Sequence, residues 1–292
     1  MTEDYLMEKN YAGMSGFDTF VLKSRWNSNF VNIILNGGIV AIELNYAKGF
    51  KGENVDFLAE VPFIHGLKII DYNLKNVKGI HHCKSLTFLE VSTYCKTEIN
   101  FTEFKRLSGC FLTWKAKATT ISRCKTLKNL VIDKFDSSCS DLSLLSGLFE
   151  LEHLSLLNAK ISSLAGISPD NCIEFMGLYN LKNLTSLYFI QNFSKLKKLE
   201  LDGCKRIGSI EEVKGLDKLR YLSFNNVGRI DSLKPLLGLE RLEEVYFYEN
   251  TNIEDGDLSP LLDLPSLRAL SFQDRKHYSH SLSELERILI NR

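Results

Sequence analysis

The sequence predicts an α/β solenoid of about eleven short repeats, with parallel strands on one side and 3₁₀ turns or short helices on the other. The first observation is a recurring L-x-x-L-x-L frame, clearest at Leu151, Leu196, Leu219 and Leu267. The second is its spacing, because nine of the ten intervals between successive frames measure 19 to 25 residues. The third is a three-residue apolar spacing between frames, typical of 3₁₀ turns, as in Leu142, Leu145 and Leu148.

The frames follow one another along most of the chain. Their first apolar residues are Ile39, Leu67, Leu86, Leu107, Leu127, Leu151, Cys172, Leu196, Leu219, Leu242 and Leu267. The three frame positions hold apolar residues in 32 of 33 cases, with Gly177 as the exception. An alternating L-x-L stretch turns two apolar side chains to one face of a strand and their neighbours to the other. One repeat cannot bury its apolar face alone, so we expect the repeats to stack.

The ends of such a stack need covers, and the sequence predicts one at each end. We expect an N-terminal cap over residues 1–38, the solenoid over 39–281 and a capping helix over 282–292. Gly37-Gly38 lies between apolar runs and favours a hairpin turn into the first strand. Ser283 followed by Glu286 is a capping-box pattern that opens the C-terminal helix. The copy LTSLYF at Leu184 lies only 12 residues before Leu196, too close for another full turn.

These frames resemble the leucine-rich repeat superfamily from about Ile39 to Gln273, and frames such as LKKLELDGC carry the likeness. The chain looks most similar to the short-repeat classes of internalin-like and phosphatase-regulatory proteins. The resemblance implies a curved horseshoe, with one parallel strand of each repeat on the concave side and the return path on the convex side. At the ninth frame position, where the family favours Asn or Cys, the sequence has Asn180, Cys204 and Asn250 but also Ala159, Val227 and Arg275.

Composition and targeting signals indicate a cytoplasmic protein, which we expect to be monomeric when free. The chain balances 36 Lys and Arg against 36 Asp and Glu. No apolar run approaches the ~20 residues that span a bilayer, and the acidic start does not resemble a secretion leader. Its seven cysteines form no CxxC pair and no zinc-ligand spacing, which suits reduced thiols in a cytosol.

Catalytic motifs are missing, so we expect no enzyme, no cofactor and no metal. The sequence has no GxxxxGK[ST], GxGxxG, HExxH or GxSxG motif and no kinase set. His81-His82-Cys83 is the one metal-like cluster. Cys83 precedes Leu86 by three residues, just as Cys124 precedes Leu127, which favours a repeated core position. We also assign Cys110, Cys172 and Cys204 to the interior.

The predicted concave face carries the functional signal. Its 44 positions, the third, fifth, seventh and eighth of each frame, hold ten acids and two bases, a net charge of −8 in a neutral chain. They also hold eight aromatic residues, a composition typical of protein interfaces. Strand propensity alone explains the rings but not the acids. We expect a partner to bind at Trp114, Asp133, Tyr179, Glu200, Asp202, Tyr221, Glu244, Tyr246, Tyr248 and Glu249.

Three classes of function remain open. The first is a non-enzymatic module that binds a basic protein on its concave face. Within this class we favour an immunity or inhibitor protein that neutralises a nuclease-like toxin, and the alternative is a phosphatase-regulatory or other scaffold protein of leucine-rich repeat type. The second class is nucleic-acid binding through basic edge residues, although the concave face has the wrong sign for phosphates. The third is an unrecognised enzyme, which the missing motifs argue against.

Overall fold

The computed structural model describes residues 4–114, 118–136 and 140–291. The chain divides into two compact units, Met1–Val131 and Ile132–Arg292. In both units, each frame supplies one short strand, and the described strands that follow the frames run parallel to their neighbours in chain order. The predicted fold class is therefore confirmed, and the boundaries 1–38, 39–281 and 282–292 stay predictions.

The first unit opens with an antiparallel hairpin that continues into parallel strands. The strands are β1 (Tyr5–Tyr11), β2 (Phe17–Leu22), β3 (Ala41–Asn45), β4 (Gly66–Ile70), β5 (Phe88–Ser92) and β6 (Gly109–Thr113). Strand β7 (Asn129–Asp133) contains the boundary between the units. The unit has one α-helix, α1 (Asn29–Asn36), among its described residues. Its 3₁₀ turns are Ala12–Met14, Tyr46–Lys48, Asp56–Glu60, Lys78–His82, Phe101–Glu103 and Thr119–Arg123.

The second unit repeats the same plan. Its strands are β8 (His153–Leu157), β9 (Phe175–Tyr179), β10 (Lys198–Asp202), β11 (Tyr221–Asn225), β12 (Arg229–Ile230), β13 (Glu244–Phe247), β14 (Asn252–Ile253) and β15 (Ala269–Phe272). Strands β8, β9, β10, β11, β13 and β15 pair in parallel, and β12 and β14 form a separate two-stranded sheet. The 3₁₀ turns are Ser143–Leu145, Ile190–Asn192, Glu211–Val213, Lys234–Leu236 and Ser259–Asp263, and helix α2 is Leu282–Ile290.

Two of the predicted frame registers are wrong, and their correction completes the repeat. The second frame starts at Ile64 and not Leu67, and the seventh starts at Ile173 and not Cys172, because the residues at these starts and their frame partners are the buried ones. All ten intervals then measure 20 to 25 residues. All 33 frame residues, three in each of eleven frames, are apolar and buried. Gly177, the former exception, moves to the opposite face of its strand.

The segments between strands also follow the predicted three-residue spacing. Leu142, Leu145, Leu148 and Leu151 are all buried, and a 3₁₀ turn spans Ser143–Leu145. The irregular stretch before β10 obeys the same rule, since its buried residues are Leu181, Leu184, Leu187, Ile190, Phe193 and Leu196. The copy at Leu184 is therefore part of a return path and forms no strand, as its short distance from Leu196 predicts.

The N-terminal cap differs from the expected hairpin at Gly37-Gly38. Residues Asn29–Asn36 form helix α1 because Phe30 and Ile34, one turn apart, bury one face. Gly37 ends that helix, and its amide donates to the Ile33 carbonyl oxygen. The hairpin lies earlier in the chain, where β1 pairs with β2.

The C-terminal helix begins at Leu282, and its N-cap is Ser281, two residues before the Ser283 cap that the sequence predicts. The sequence contains two overlapping Ser-x-x-Glu patterns, and the structure uses the first. The hydroxyl of Ser281 accepts a hydrogen bond from the Glu284 amide, and the Glu284 carboxylate accepts one from the Ser281 amide. This start turns Leu285 inward, where it is fully buried.

We predict that Leu199→Asp destabilises the second unit strongly. Leu199 is a frame residue of β10 with no exposed surface, so the new carboxylate would be buried without a partner. The free energy of unfolding should fall by more than about 3 kcal/mol, measured by urea denaturation followed by circular dichroism. Ser194→Asp, at an exposed position five residues earlier, should leave it within about 0.5 kcal/mol of the parent. Equal midpoints for the two variants would show that the frame register is wrong.

Candidate functional site

The candidate site lies on the sheet face opposite the buried frame residues, which we call the outward face. It consists of the third and fifth frame positions together with the seventh and eighth, which lead into the following turn. With the corrected registers these positions hold nine acids and three bases, a net charge of −6, so the predicted sign is kept. Two of the acids, Glu43 and Asp71 of the first unit, are buried. The exposed acids of the outward face are therefore concentrated in the second unit.

Strand pairing in the second unit sets the outward residues in two rows. The third frame positions align as His153, Phe175, Lys198, Tyr221, Glu244 and Ala269. The fifth positions align as Ser155, Gly177, Glu200, Ser223, Tyr246 and Ser271. Since neighbouring strands lie ~4.8 Å apart, adjacent members of each row are within reach of one another.

Five of the predicted residues come together on strands β9 to β13. Tyr179 folds across Gly177 and donates a short hydrogen bond to the Glu200 carboxylate. The Tyr221 and Tyr246 rings lie with centroids 5.4 Å apart. The Tyr246 hydroxyl donates to Oε2 of Glu244 at 3.0 Å. These contacts form a continuous cluster of rings and carboxylates.

Lys198, which was not among the predicted site residues, lies at the centre of this cluster. Its Nζ is 4.0 Å from the centroid of the Tyr221 ring and 5.5 Å from that of Phe175, within the range of cation–π attraction. The same ammonium lies 2.9 Å from Oε1 of Glu200. The sequence identified Lys198 as an outward base, but the two rings that hold it belong to other repeats. The cluster is thus less acidic than its carboxylates suggest.

The four predicted carboxylates of the later strands fall into two kinds. Glu200 is compensated by Lys198, and Glu244 lies 3.2 Å from Nη2 of Arg268. Asp202 and Glu249 form no ion pair with a Lys or Arg side chain among the described residues. Burial raises the pKa of Asp202, and the negative charge of Glu249 raises it further. Asp202 and Glu249, which belong to frames two repeats apart, therefore repel each other in the free protein.

A polar chain fixes the turn that carries Tyr248 and Glu249. The Tyr248 amide donates to Oδ1 of Asn225 at 2.9 Å, and Nδ2 of Asn225 donates to the Ser223 hydroxyl at 2.9 Å. Arg275 donates to the Glu249 carbonyl oxygen at 2.9 Å from the next repeat. The Tyr248 ring is 39% exposed, so this held turn presents an accessible ring beside a carboxylate.

The backbone of Glu249 adopts a left-handed conformation that suits other residue types better. Its φ is +57°, at the eighth frame position. The same conformation recurs at this position in other repeats of the second unit, at Lys134, Asn158, Asn180, Gly203 and Asn226. Asn and Gly tolerate positive φ, whereas this conformation costs a residue such as Glu about 1 kcal/mol of conformational free energy. Asn180 therefore occupies this corner and not the ninth position assigned from the sequence.

Two of the predicted residues belong to other parts of the fold. Trp114 follows β6 in the first unit. Asp133 ends β7 and is already engaged, because Nδ2 of Asn158 donates to its Oδ1 at 2.8 Å. Lys134 Nζ also lies 3.9 Å from Oδ2 of Asp133.

The first unit exposes a row of three tyrosines, of which the sequence pattern places only Tyr46 on the outward face. Tyr46 and Tyr72 have ring centroids 5.6 Å apart, and Tyr72 and Tyr94 have centroids 4.7 Å apart. The three side chains are 39% to 66% exposed. Tyr72 and Tyr94 both lie at ninth frame positions, which are not counted as outward.

The metal-like cluster of the sequence is explained by hydrogen bonds and packing. One ring nitrogen of His81 contacts the Lys78 carbonyl oxygen and the other accepts from the Asn100 amide, both at 3.0 Å. Cys83 and Cys124 are buried at equivalent positions, as the spacing predicts. Cys110 and Cys204 are buried too, but Cys172 is partly exposed, because the correct frame starts one residue later. Within 4–114, 118–136 and 140–291, no group of three or more His, Cys, Asp or Glu is placed to hold a metal.

We predict that Glu249→Gln lowers the pKa of Asp202, while burial keeps it above the usual value. Because the folded state binds this proton more tightly than the unfolded state, ionisation of Asp202 lowers the free energy of unfolding as pH rises through its folded pKa. A ¹³C NMR titration of the Asp202 carboxyl carbon measures the change. Glu254→Gln is the control, since Glu254 pairs with Arg229 at 3.2 Å. An Asp202 pKa that ignores Glu249→Gln would contradict the proximity of the two carboxylates.

Comparison with known proteins tests the fold. No protein-family model and no curated protein matches the chain. Among solved structures, an internalin (InlF) from Listeria monocytogenes is similar with a TM-score of 0.56 at 16% identity, over 88% of this chain and 87% of that one. An internalin C2 from the same organism gives 0.46 at 19% identity, over 65% and 83%. A leucine-rich repeat protein from Leptospira interrogans gives 0.38 at 17% identity, over 86% and 82%.

The similarity to the internalin InlF agrees with the repeated parallel strands and 3₁₀ turns of this chain, and together they establish its fold. In the part of the chain that the structure describes, no helix is long and apolar enough to cross a membrane. The chain therefore has the internalin-like leucine-rich repeat fold that its frames predict.

Proposed function

We propose that the chain is a non-enzymatic module that binds a basic protein on the outward face of its second unit. The observation that carries the proposal is the pair Asp202 and Glu249, two mutually repelling carboxylates without an ion-pair partner among the described residues. A cationic side chain placed between them would relieve that repulsion on binding. Their sign selects a basic partner over an acidic one.

The neighbouring rings would supply contact area. Tyr221, Tyr246 and Tyr248 lie on or beside the same strands, and none of them is buried. Tyrosine rings bury a large apolar area at a low cost in conformational entropy, and they dominate many protein interfaces. A ring cluster beside free carboxylates fits a partner surface that carries Arg or Lys.

The backbone of Glu249 supports the same assignment. Its left-handed conformation costs about 1 kcal/mol for a side chain of this type, and the same corner holds Asn or Gly in four other repeats and Lys134 in a fifth. Strained positions of this kind concentrate at binding and catalytic sites. A carboxylate kept there in spite of the cost favours a role in recognition.

The buried thiols argue against nucleophilic chemistry. Burial raises the pKa of Cys83 to about 12 and that of Cys204 to about 11, so neither forms a thiolate near neutral pH. Burial also lowers the pKa of His153, which stacks on Phe175 with ring centroids 3.9 Å apart. These residues serve packing, in keeping with a binding module.

Among basic proteins, we favour a nuclease-like toxin that this chain would neutralise in the cytoplasm. An acidic outward face resembles the charge of the nucleic acid that such an enzyme must bind, so one surface would recognise the toxin and block its substrate. The unpaired state of the six described cysteines suits a reducing compartment. A scaffold that recruits another basic protein, such as a phosphatase, would use the same face. A basic nuclease encoded next to this gene would favour the first role.

We predict that the double variant Asp202→Asn/Glu249→Gln no longer captures basic proteins. The parent chain, the double variant and the control Glu211→Gln/Asp217→Asn are immobilised and exposed to a lysate of the source cells, and the bound proteins are identified by mass spectrometry. The control removes the same net charge at two exposed positions away from the outward face. Basic proteins should be depleted only with the site variant. Equal depletion with both variants would reduce the effect to net charge and contradict the proposal.

With the captured partner purified, Tyr246→Ala should weaken binding by about 2 kcal/mol, mainly through faster dissociation, because the ring supplies buried contact area. The Asp202→Asn/Glu249→Gln variant should instead slow association and flatten its salt dependence. Surface plasmon resonance at several salt concentrations separates the two effects. Tyr188→Ala removes a tyrosine that is 58% exposed outside the outward face and should leave both rates unchanged. Parent-like kinetics for both site variants would contradict binding at this face.

A further inference from the structure

The first unit has a pocket on its own outward face. Its volume is about 380 Å³, within the range of sites that hold a ligand or a large side chain. The rings of Phe17, Phe88 and Phe111 and the side chain of Val131 line it, with Gly109 among the lining residues. The lining is predominantly apolar, so the pocket suits an apolar occupant.

One wall belongs to the N-terminal hairpin, which already occupies the neighbouring part of the same row. Strand pairing aligns the outward positions Ala41, Gly66, Phe88 and Gly109. A Cβ added to Gly66 would lie 2.8 Å from Cδ2 of Phe17 and 3.3 Å from Cε of Met14. Met14 is fully buried there. The row thus accepts side chains from another segment where its own residues are small.

Gly109 repeats this arrangement two strands further on, but the hairpin does not cover it. A Cβ added to Gly109 would meet the Phe88 ring at 3.2 Å, and no hairpin atom is among its three nearest neighbours within 4 Å. The occupied position over Gly66 holds an aromatic ring and an unbranched apolar chain, both supplied by a separate segment. The open position beside Gly109 also has a glycine at its base. The Phe88 and Phe111 rings line it and favour aromatic stacking.

Three of the polar side chains that line the pocket, Glu90, Thr87 and Ser108, are already engaged. Lys68 Nζ lies 3.0 Å from the Glu90 carboxylate, and both side chains are at most 15% exposed. The Thr87 hydroxyl donates to the His65 carbonyl oxygen, and the Ser108 hydroxyl donates to the Thr87 carbonyl oxygen, each at 3.2 Å. Because the Glu90 carboxylate is paired with Lys68 and the Thr87 and Ser108 hydroxyls already donate hydrogen bonds to carbonyl oxygens, the pocket favours a neutral apolar group over a cation.

From this geometry we infer that the pocket receives an aromatic side chain of the protein partner, an inference that rests on the proposed function. The occupant extends the row of inserted side chains that Met14 and Phe17 begin. It provides an apolar anchor, while the carboxylates of the second unit select the charge of the partner. The two contacts act on different parts of the chain and are separable by mutation.

The pocket itself is tested without a partner, using N-acetyl-phenylalanine amide, N-acetyl-tryptophan amide and N-acetyl-lysine amide in saturation-transfer NMR titrations of the full chain. The aromatic amides should bind with millimolar dissociation constants, at least fivefold tighter than the lysine amide. Phe111→Ala removes a wall and Val131→Trp fills the space, and each should weaken aromatic binding at least fivefold. Tyr72→Ala, which removes an exposed ring of the same unit outside the pocket, should have no effect. Equal binding of the three amides, or parent-like binding by both pocket variants, would overturn the inference.

The source of the aromatic group is tested with the purified partner. Phe111→Ala and Val131→Trp should each weaken partner binding at least tenfold through faster dissociation, with association rates unchanged. If both variants lose amide binding but keep partner affinity, the pocket is a small-molecule site and the inference is wrong, while the proposed function stands. If no basic protein binds the second unit, the proposed function and this inference both fail, and the amide titrations still report whether the pocket binds aromatic groups.

Discussion

Burial of three apolar side chains per repeat is the constraint on which the rest of this protein depends. A strand of four or five residues cannot exclude water from its own apolar face, so each repeat relies on its neighbours in the stack. All 33 frame residues are buried, and the 3₁₀ turns bury further residues at three-residue intervals between them. Charge at a frame position is therefore costly, whereas the alternate positions of each strand are free to vary.

That freedom is used differently in the two units. In the first, small residues such as Ala41 and Gly66 leave room on the outward face, and the N-terminal hairpin fills part of it with Met14 and Phe17. In the second, the same positions hold rings and charges, centred on Lys198 between Phe175 and Tyr221. One backbone plan thus presents an apolar pocket in one unit and a charged aromatic cluster in the other.

The parallel register also produces repulsion between carboxylates in the second unit, and basic side chains compensate part of it. Aligned rows bring charged side chains of nearby repeats towards one another, where like charges repel. Lys198 compensates Glu200, and Arg268 compensates Glu244. The repulsion that remains is between Asp202, the last residue of β10, and Glu249, in the turn after β13; both are exposed, so solvent screens it and a partner can reach it.

The sequence by itself determined the repeat, the parallel strands and the sign of the outward face, because each follows from the identity of residues a few positions apart. It misplaced the frames at Ile64 and Ile173, since apolar residues beside the true frame, such as Ile70 and Cys172, fit most of the pattern. Packing against adjacent strands, which buries one face of each strand, decides between two such registers. The tertiary structure alone decided that Lys198 lies between rings and that Phe17 covers Gly66, because these contacts join residues that are 23 to 49 positions apart and depend on how the strands align.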